Sequence, residues 1–173
     1  MHKNLMSTVI AAGVAISLVP PIANSAGAEA GKSGSSPKMT SSKELERGRY
    51  MVLTGHCNNC HTAGYGGKQG DVPEKEWLLG NPVGFRLSAG TTYASNLRLT
   101  VQNFTEVQWV KYAKALKTRP GMPWWSLNAT TEPDLRAMYK YIKHLGPAGE
   151  AAKPFVPPDK EPDRPYELRQ LVK

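Results

Sequence analysis

Two thiols and an imidazole fall within five consecutive residues, Cys57-Asn58-Asn59-Cys60-His61, and the chain has no other cysteine. Two cysteines separated by two residues and followed at once by histidine form the attachment pattern of a c-type haem. Two thiols on one turn of chain can add across the two vinyl groups of a single haem. The next residue then lies under the iron, where its imidazole nitrogen can bind the metal. Three other readings use the same cysteine spacing. A thioredoxin-like redox pair sits in a strand-then-helix setting, whereas the residues before Cys57 read as helix. A structural zinc site wants four ligands, and His56 and His144 are the only further histidines beyond His2 at the N-terminus. A plain local disulfide is the third.

An iron held by His61 alone keeps an open face. The candidates to fill it are Met39, Met51, Met122, Met138, His56 and His144. Met39 lies in the leader. Met51 and His56 adjoin the motif too closely to reach the other side of a haem. Met138 and His144 lie in a helix whose apolar face needs Met138 for packing. Met122 stands in Arg119-Pro120-Gly121-Met122-Pro123-Trp124. There, two prolines stiffen a loop, and glycine allows close approach of the backbone. Core filling is the usual fate of a methionine, but this loop favours ligation. The expected metal ligands are therefore His61 and Met122, with Cys57 and Cys60 as covalent anchors of one haem c.

The chain resembles class I monohaem cytochromes c, and more narrowly the cytochrome modules found with bacterial periplasmic dehydrogenases. The matching pieces are Arg47-Gly48-Arg49-Tyr50, Gly55 to Thr62, Tyr93-Ala94-Ser95-Asn96-Leu97, Phe104-Thr105-Glu106, Gly121-Met122-Pro123 and the run from Asp134 to Ile142. The resemblance implies a methionine of the Met-Pro loop as sixth ligand, which supports Met122. It also implies a periplasmic carrier of single electrons, and a dehydrogenase among its partners. Many members place a proline soon after the haem histidine to position a carbonyl for its ring N–H. Here Thr62-Ala63-Gly64-Tyr65 follows, and no acceptor can be named. The alternative is an open-site haem enzyme or sensor of gas or peroxide, in which Met122 does not hold the iron.

The elements that must position these residues read as an all-α domain, with three main helices and long loops wrapped around one covalent haem. A first helix is expected over residues 43–54, with Ser41 and Glu44 forming a capping box and Gly48 allowing a close crossing. Residues 63–103 are irregular and rich in glycine. Trp77, Leu78, Leu79, Phe85 and Leu87 are expected to line the crevice there, and Arg86, Tyr93 and Asn96 to reach the propionates. A second helix is expected over residues 106–117, capped by Thr105 with Gln108. The third, over residues 132–145 and capped by Thr131 with Asp134, carries Leu135, Met138, Ile142 and Leu145 at helical spacing and stops at Gly146-Pro147. No strand is predicted.

Outside this domain, residues 41–146, the order of a basic start, an apolar run and small residues reads as a signal peptide over residues 1–30. Its apolar run is shorter than the roughly 20 residues needed to cross a bilayer, so the mature form is expected to lack a membrane span. Residues 31–40 read as a flexible leader. Residues 147–173 form a proline-rich tail, either wrapped on the domain or loose. The formal net charge of +8 and the run Lys111, Lys114, Lys117 and Arg119 suggest redox partners that are acidic at the docking face. Nucleic acid is not an expected partner, for no binding motif accompanies the charge. Of Trp124 and Trp125, one is expected to pack near the metal and the other to face solvent.

Overall fold

In the computed structural model, which describes residues 40–168, the chain enters its first helix, α1 (Ser42–Thr54), through the expected capping box. Ser41 Oγ accepts from the Glu44 amide, and the Glu44 carboxylate accepts from the Ser41 amide at 3.0 Å. The signal peptide, residues 31–39 of the leader and Met39 lie outside the described residues. Gly55 closes α1. His56 adopts a left-handed conformation (φ 56°), and the chain restarts as the single turn α2 (Cys57–His61).

A long loop follows, carrying a 3₁₀ turn at Glu74–Glu76 and then two short strands, β1 (Gly84–Leu87) and β2 (Gly90–Thr92). Next come α3 (Leu97–Thr100), a 3₁₀ turn at Val101–Asn103, α4 (Glu106–Ala115), α5 (Trp124–Ala129) and α6 (Glu132–His144). The caps of α4 and α6 are those read from the sequence: Thr105 with Gln108, and Thr131 accepting from the Asp134 amide.

Burial of apolar faces assembles the helices. Val52 of α1, Trp109, Val110 and Ala113 of α4, and Leu135, Met138, Tyr141 and Ile142 of α6 form one buried cluster with Val72, Trp77, Leu78 and Val101. Met138 is core filler, as its helical spacing required. Helices α1 and α6 cross closely because Gly48 has no side chain. A Cβ there would lie 2.1 Å from the Ala137 carbonyl oxygen and 2.6 Å from Tyr141 Cβ. Polar contacts frame the same crossing. Lys140 of α6 pairs with Glu44 of α1, Arg47 with Asp134 at 2.7 Å, and the Tyr141 hydroxyl donates to Glu74 at 2.5 Å.

The all-α expectation is corrected by a three-stranded sheet of order β2-β1-β3, whose third strand, β3 (Tyr166–Leu168), comes from the proline-rich tail. Strands β1 and β2 form an antiparallel hairpin with Phe85 opposite Thr92, and β3 runs parallel to β1. Strands of three and four residues carry too little alternation to be read as a period of two. Their pairing also depends on a tail segment distant in sequence. Proline density suits the tail to an extended path, and that path follows the domain surface. Val156 bridges Thr91 through bonds of 2.8 and 3.0 Å, the Gly84 amide donates to Pro165 O, and Arg86 reaches Lys160 O and Glu161.

Candidate functional site

The five-residue helix α2 presents the motif. Cys57 and Cys60 are one turn apart, so they share a face, and His61 ends the turn before Thr62 becomes extended. The two thiols are not joined in a disulfide. Cys57 packs partly against the core, and burial pushes its thiol up to about 11. Redox-active cysteines of Cys-x-x-Cys pairs have lowered values instead.

His61 is buried and held at two points. Its carbonyl accepts from the Gly80 amide at 2.8 Å, and its ring Nδ1 lies 2.7 Å from the carbonyl oxygen of Ser95. A carbonyl only accepts, so Nδ1 carries the proton and Nε2 keeps its lone pair. Burial lowers the pKa of the ring, against the smaller opposing effect of the Ser95 bond, and so favours the neutral, metal-binding form. Ser95 thus supplies the acceptor that the sequence could not name. Its segment, Tyr93 to Leu97, was already among the matching pieces, but a backbone carbonyl leaves no signature in side-chain identity.

Three further residues build this corner. Thr62 Oγ1 donates to Asn58 Oδ1 at 2.8 Å and accepts from the Leu78 amide at 2.9 Å. Asn58 and Thr62 are both buried, and Asn58 Nδ2 has no hydrogen-bond partner among the described residues. Gly80, at φ +89°, passes so near the Ala94–Asn96 backbone that a Cβ would lie 3.0 Å from Ala94 O.

Met122 stands on a separate loop, between α4 and α5, and is half-buried. Gly121 (φ +112°) brings this loop to the hairpin. A Cβ there would lie 3.5 Å from Thr92 Cγ2 and 3.7 Å from Leu87 Cδ1. One extended segment therefore serves both places: Thr92 faces the methionine loop, and Ser95 holds the histidine. Trp124 is half-buried against the exposed Trp125, with ring centroids 5.6 Å apart.

Other expected roles are redistributed. Trp77, Leu78, Phe85 and Leu87 are buried, with Leu79 half-buried. The polar groups of Asn96 are occupied: its Oδ1 caps α3, and its Nδ2 donates to Ala148 O and Glu150 O. Arg86 is tied to the tail, and Tyr93 lies under Lys153. Arg98, which sequence reasoning passed over, is buried and donates to the carbonyls of Lys75, Leu145 and Gly146. In the basic run, Lys114 is exposed but committed, donating to Asn128 O and Thr130 O at 3.0 and 2.6 Å.

Over 125 residues the chain is 30% identical to the cytochrome c subunit of alcohol dehydrogenase (quinone) from Gluconacetobacter polyoxogenes, and equally so to that from Komagataeibacter europaeus. The chain is similar to a cytochrome c subunit. The matched region takes in 72% of this chain and spans only 25% of the length of either relative. No family model matches the chain, and no solved structure matches it.

The donor set fits a haem. Two thiols share one helical face, and one buried imidazole has its Nδ1 engaged and its Nε2 uncommitted. Among the described residues, no group of three or more His, Cys, Asp and Glu gathers to hold a metal ion. Among the described residues, no helix is long and apolar enough to cross a membrane.

Proposed function

We propose that this protein is a monohaem c-type cytochrome that carries single electrons from a dehydrogenase towards a respiratory chain in the periplasm, after removal of a signal peptide. Cys57 and Cys60 would hold the haem covalently, and His61 Nε2 and Met122 would ligate its iron. The haem supplies a reversible one-electron change at its iron. The observation that carries the reading is the His61 ring, buried on the Cys-x-x-Cys turn with Nδ1 committed to Ser95.

The chain's own residues perform the remaining tasks. The α2 turn presents both thiols on one face, so one planar group can meet them together. The Ser95 carbonyl fixes the tautomer and orientation of His61 and raises its basicity, as outer partners of metal-bound histidines do. Met122 in the sixth position would exclude small ligands and raise the reduction potential. Held by His61 and Met122, the haem would supply electron transfer and no chemistry on a substrate. The similarity to a dehydrogenase subunit supports a dehydrogenase as donor, and the exposed Lys111, Lys117 and Trp125 suit a docking face for an acidic partner.

The test is the visible spectrum of protein produced with haem-attachment machinery, recorded reduced, with and without CO. A low-spin c-type spectrum indifferent to CO is expected, with covalent haem lost in the Cys57→Ala/Cys60→Ala double variant. Prompt CO binding by the unaltered protein would mean an open site, and the protein would then be read as an enzyme or sensor.

A further inference from the structure

The tail contacts the loop that carries Met122. The Arg119 guanidinium lies 4.1 Å from the centroid of the Phe155 ring, nearer than any other cation–ring pair among the described residues. No carboxylate pairs with Arg119 among them, so the aromatic ring is its partner. Phe155 is itself well fixed. Its neighbour Val156 is bridged to Thr91 of β2, and its ring lies on bare backbone at Gly90, where a Cβ would be 2.5 Å from Phe155 Cζ. Pro120 and Pro123 limit the slack between Arg119 and Met122. The loop is thus held at Arg119 by the tail, and at Gly121 it passes close to Thr92 and Leu87 of the hairpin.

We infer that Phe155 is a positioning residue: through its stack with Arg119 it holds the Met122 loop against the β1–β2 hairpin and sets how firmly Met122 can stay on the iron. This rests on Met122 being the sixth ligand. A thioether is a weak donor. A loop that opens more often exposes the iron in proportion, so a contact remote from the metal governs access to it.

The experiment uses the full haem-loaded chain and compares Phe155→Ala, Phe155→Tyr, Arg119→Ala and Arg119→Lys with the unaltered protein. Two readouts are taken: the rate of CO binding to the reduced form, and the sulfur-to-iron charge-transfer band of the oxidised form. Helix content by circular dichroism serves as the folding control. The two alanine variants are expected to bind CO about fivefold faster, the change that losing a contact of this class corresponds to. Their sulfur–iron band weakens with helix content unaltered, and Phe155→Tyr and Arg119→Lys recover most of the effect. If the unaltered protein resists CO and every variant matches it, Phe155 has no positioning role while Met122 ligation stands. If the unaltered protein itself binds CO promptly and lacks the band, Met122 is not a ligand, and the inference falls with that reading. Should Phe155→Ala fail to fold, Arg119→Gln, a change at an exposed residue, decides by the same readouts.

Discussion

His61 Nδ1 lies 2.7 Å from the carbonyl oxygen of Ser95, which joins the imidazole of the Cys-His turn to an extended segment 34 residues further along the chain. Gly80 sits between the two. Its amide donates to His61 O, and it has no Cβ to push on Ala94. Gly80→Ala is expected to displace the Ala94–Asn96 backbone and lengthen the His61–Ser95 bond. The left-handed φ of +89° adds strain for any side chain, of about 1–3 kcal/mol. Loss of the Ser95 bond makes His61 a poorer donor, so the reduction potential of the haem-loaded protein should rise. Redox titration beside thermal unfolding checks this. A lower melting temperature with an unchanged potential would show that the Ser95 bond does not tune the histidine.

Gly48→Ala sets two effects against each other. Alanine improves helix propensity by about 1 kcal/mol. Its Cβ, however, would lie 2.1 Å from Ala137 O across the α1–α6 crossing, and neither backbone can yield without parting the helices. Overpacking of this kind costs about 3 kcal/mol, so the variant should be clearly less stable than the unaltered protein in urea. Equal or higher stability would mean that the crossing is looser than the structure shows.

Lys140 and the Ser41 amide hold the Glu44 carboxyl at about 2, below its ordinary 4.5. A group whose folded value is depressed contributes stability above its unfolded value and loses it as pH falls through the folded one. The contribution of Glu44 is therefore complete above about pH 4.5 and gone below about pH 2. The stability gap between the unaltered protein and Glu44→Gln should narrow on acidification through that window. A gap that stays constant with pH would assign the effect to helix capping alone.

The exposed cations of α4 and the loop after it divide by their contacts. Lys111 and Lys117 are exposed with no bonded partner among the described residues, whereas Lys114 holds the carbonyls of Asn128 and Thr130. Lys111→Glu and Lys117→Glu should slow electron transfer to an acidic partner at low salt and leave the melting temperature unchanged, with the effect fading as salt is added. Lys114→Glu should also lower the melting temperature. Stopped-flow rates at two ionic strengths, set beside the thermal transitions, separate the two classes. Rates insensitive to all three changes would place docking elsewhere.

Much of this protein is decided by local chemistry. The Cys57–His61 spacing, the capping pairs at Ser41, Thr105 and Thr131, and the apolar stripe of α6 depend on neighbours within a turn or two of helix. Residue type alone therefore carries them. Gly48 was legible for the same reason, since a glycine inside a helix invites a close crossing. Non-local contacts were not legible. The Ser95 carbonyl is a backbone group, and its role exists only because Gly80 lets two loops meet. The strands are too short to show a period, and β1 pairs with a tail segment at the far end of the fold. Lys114, Asn96 and Arg86 look like surface or ligand-facing residues until the chain folds and backbone carbonyls and a carboxylate take up their donors. Sequence thus determined the candidate chemistry and the helices that carry it. Tertiary structure decided how the histidine is oriented, what frames the methionine loop, and that the proline-rich tail belongs to the domain, because each depends on groups brought together only by the folded backbone.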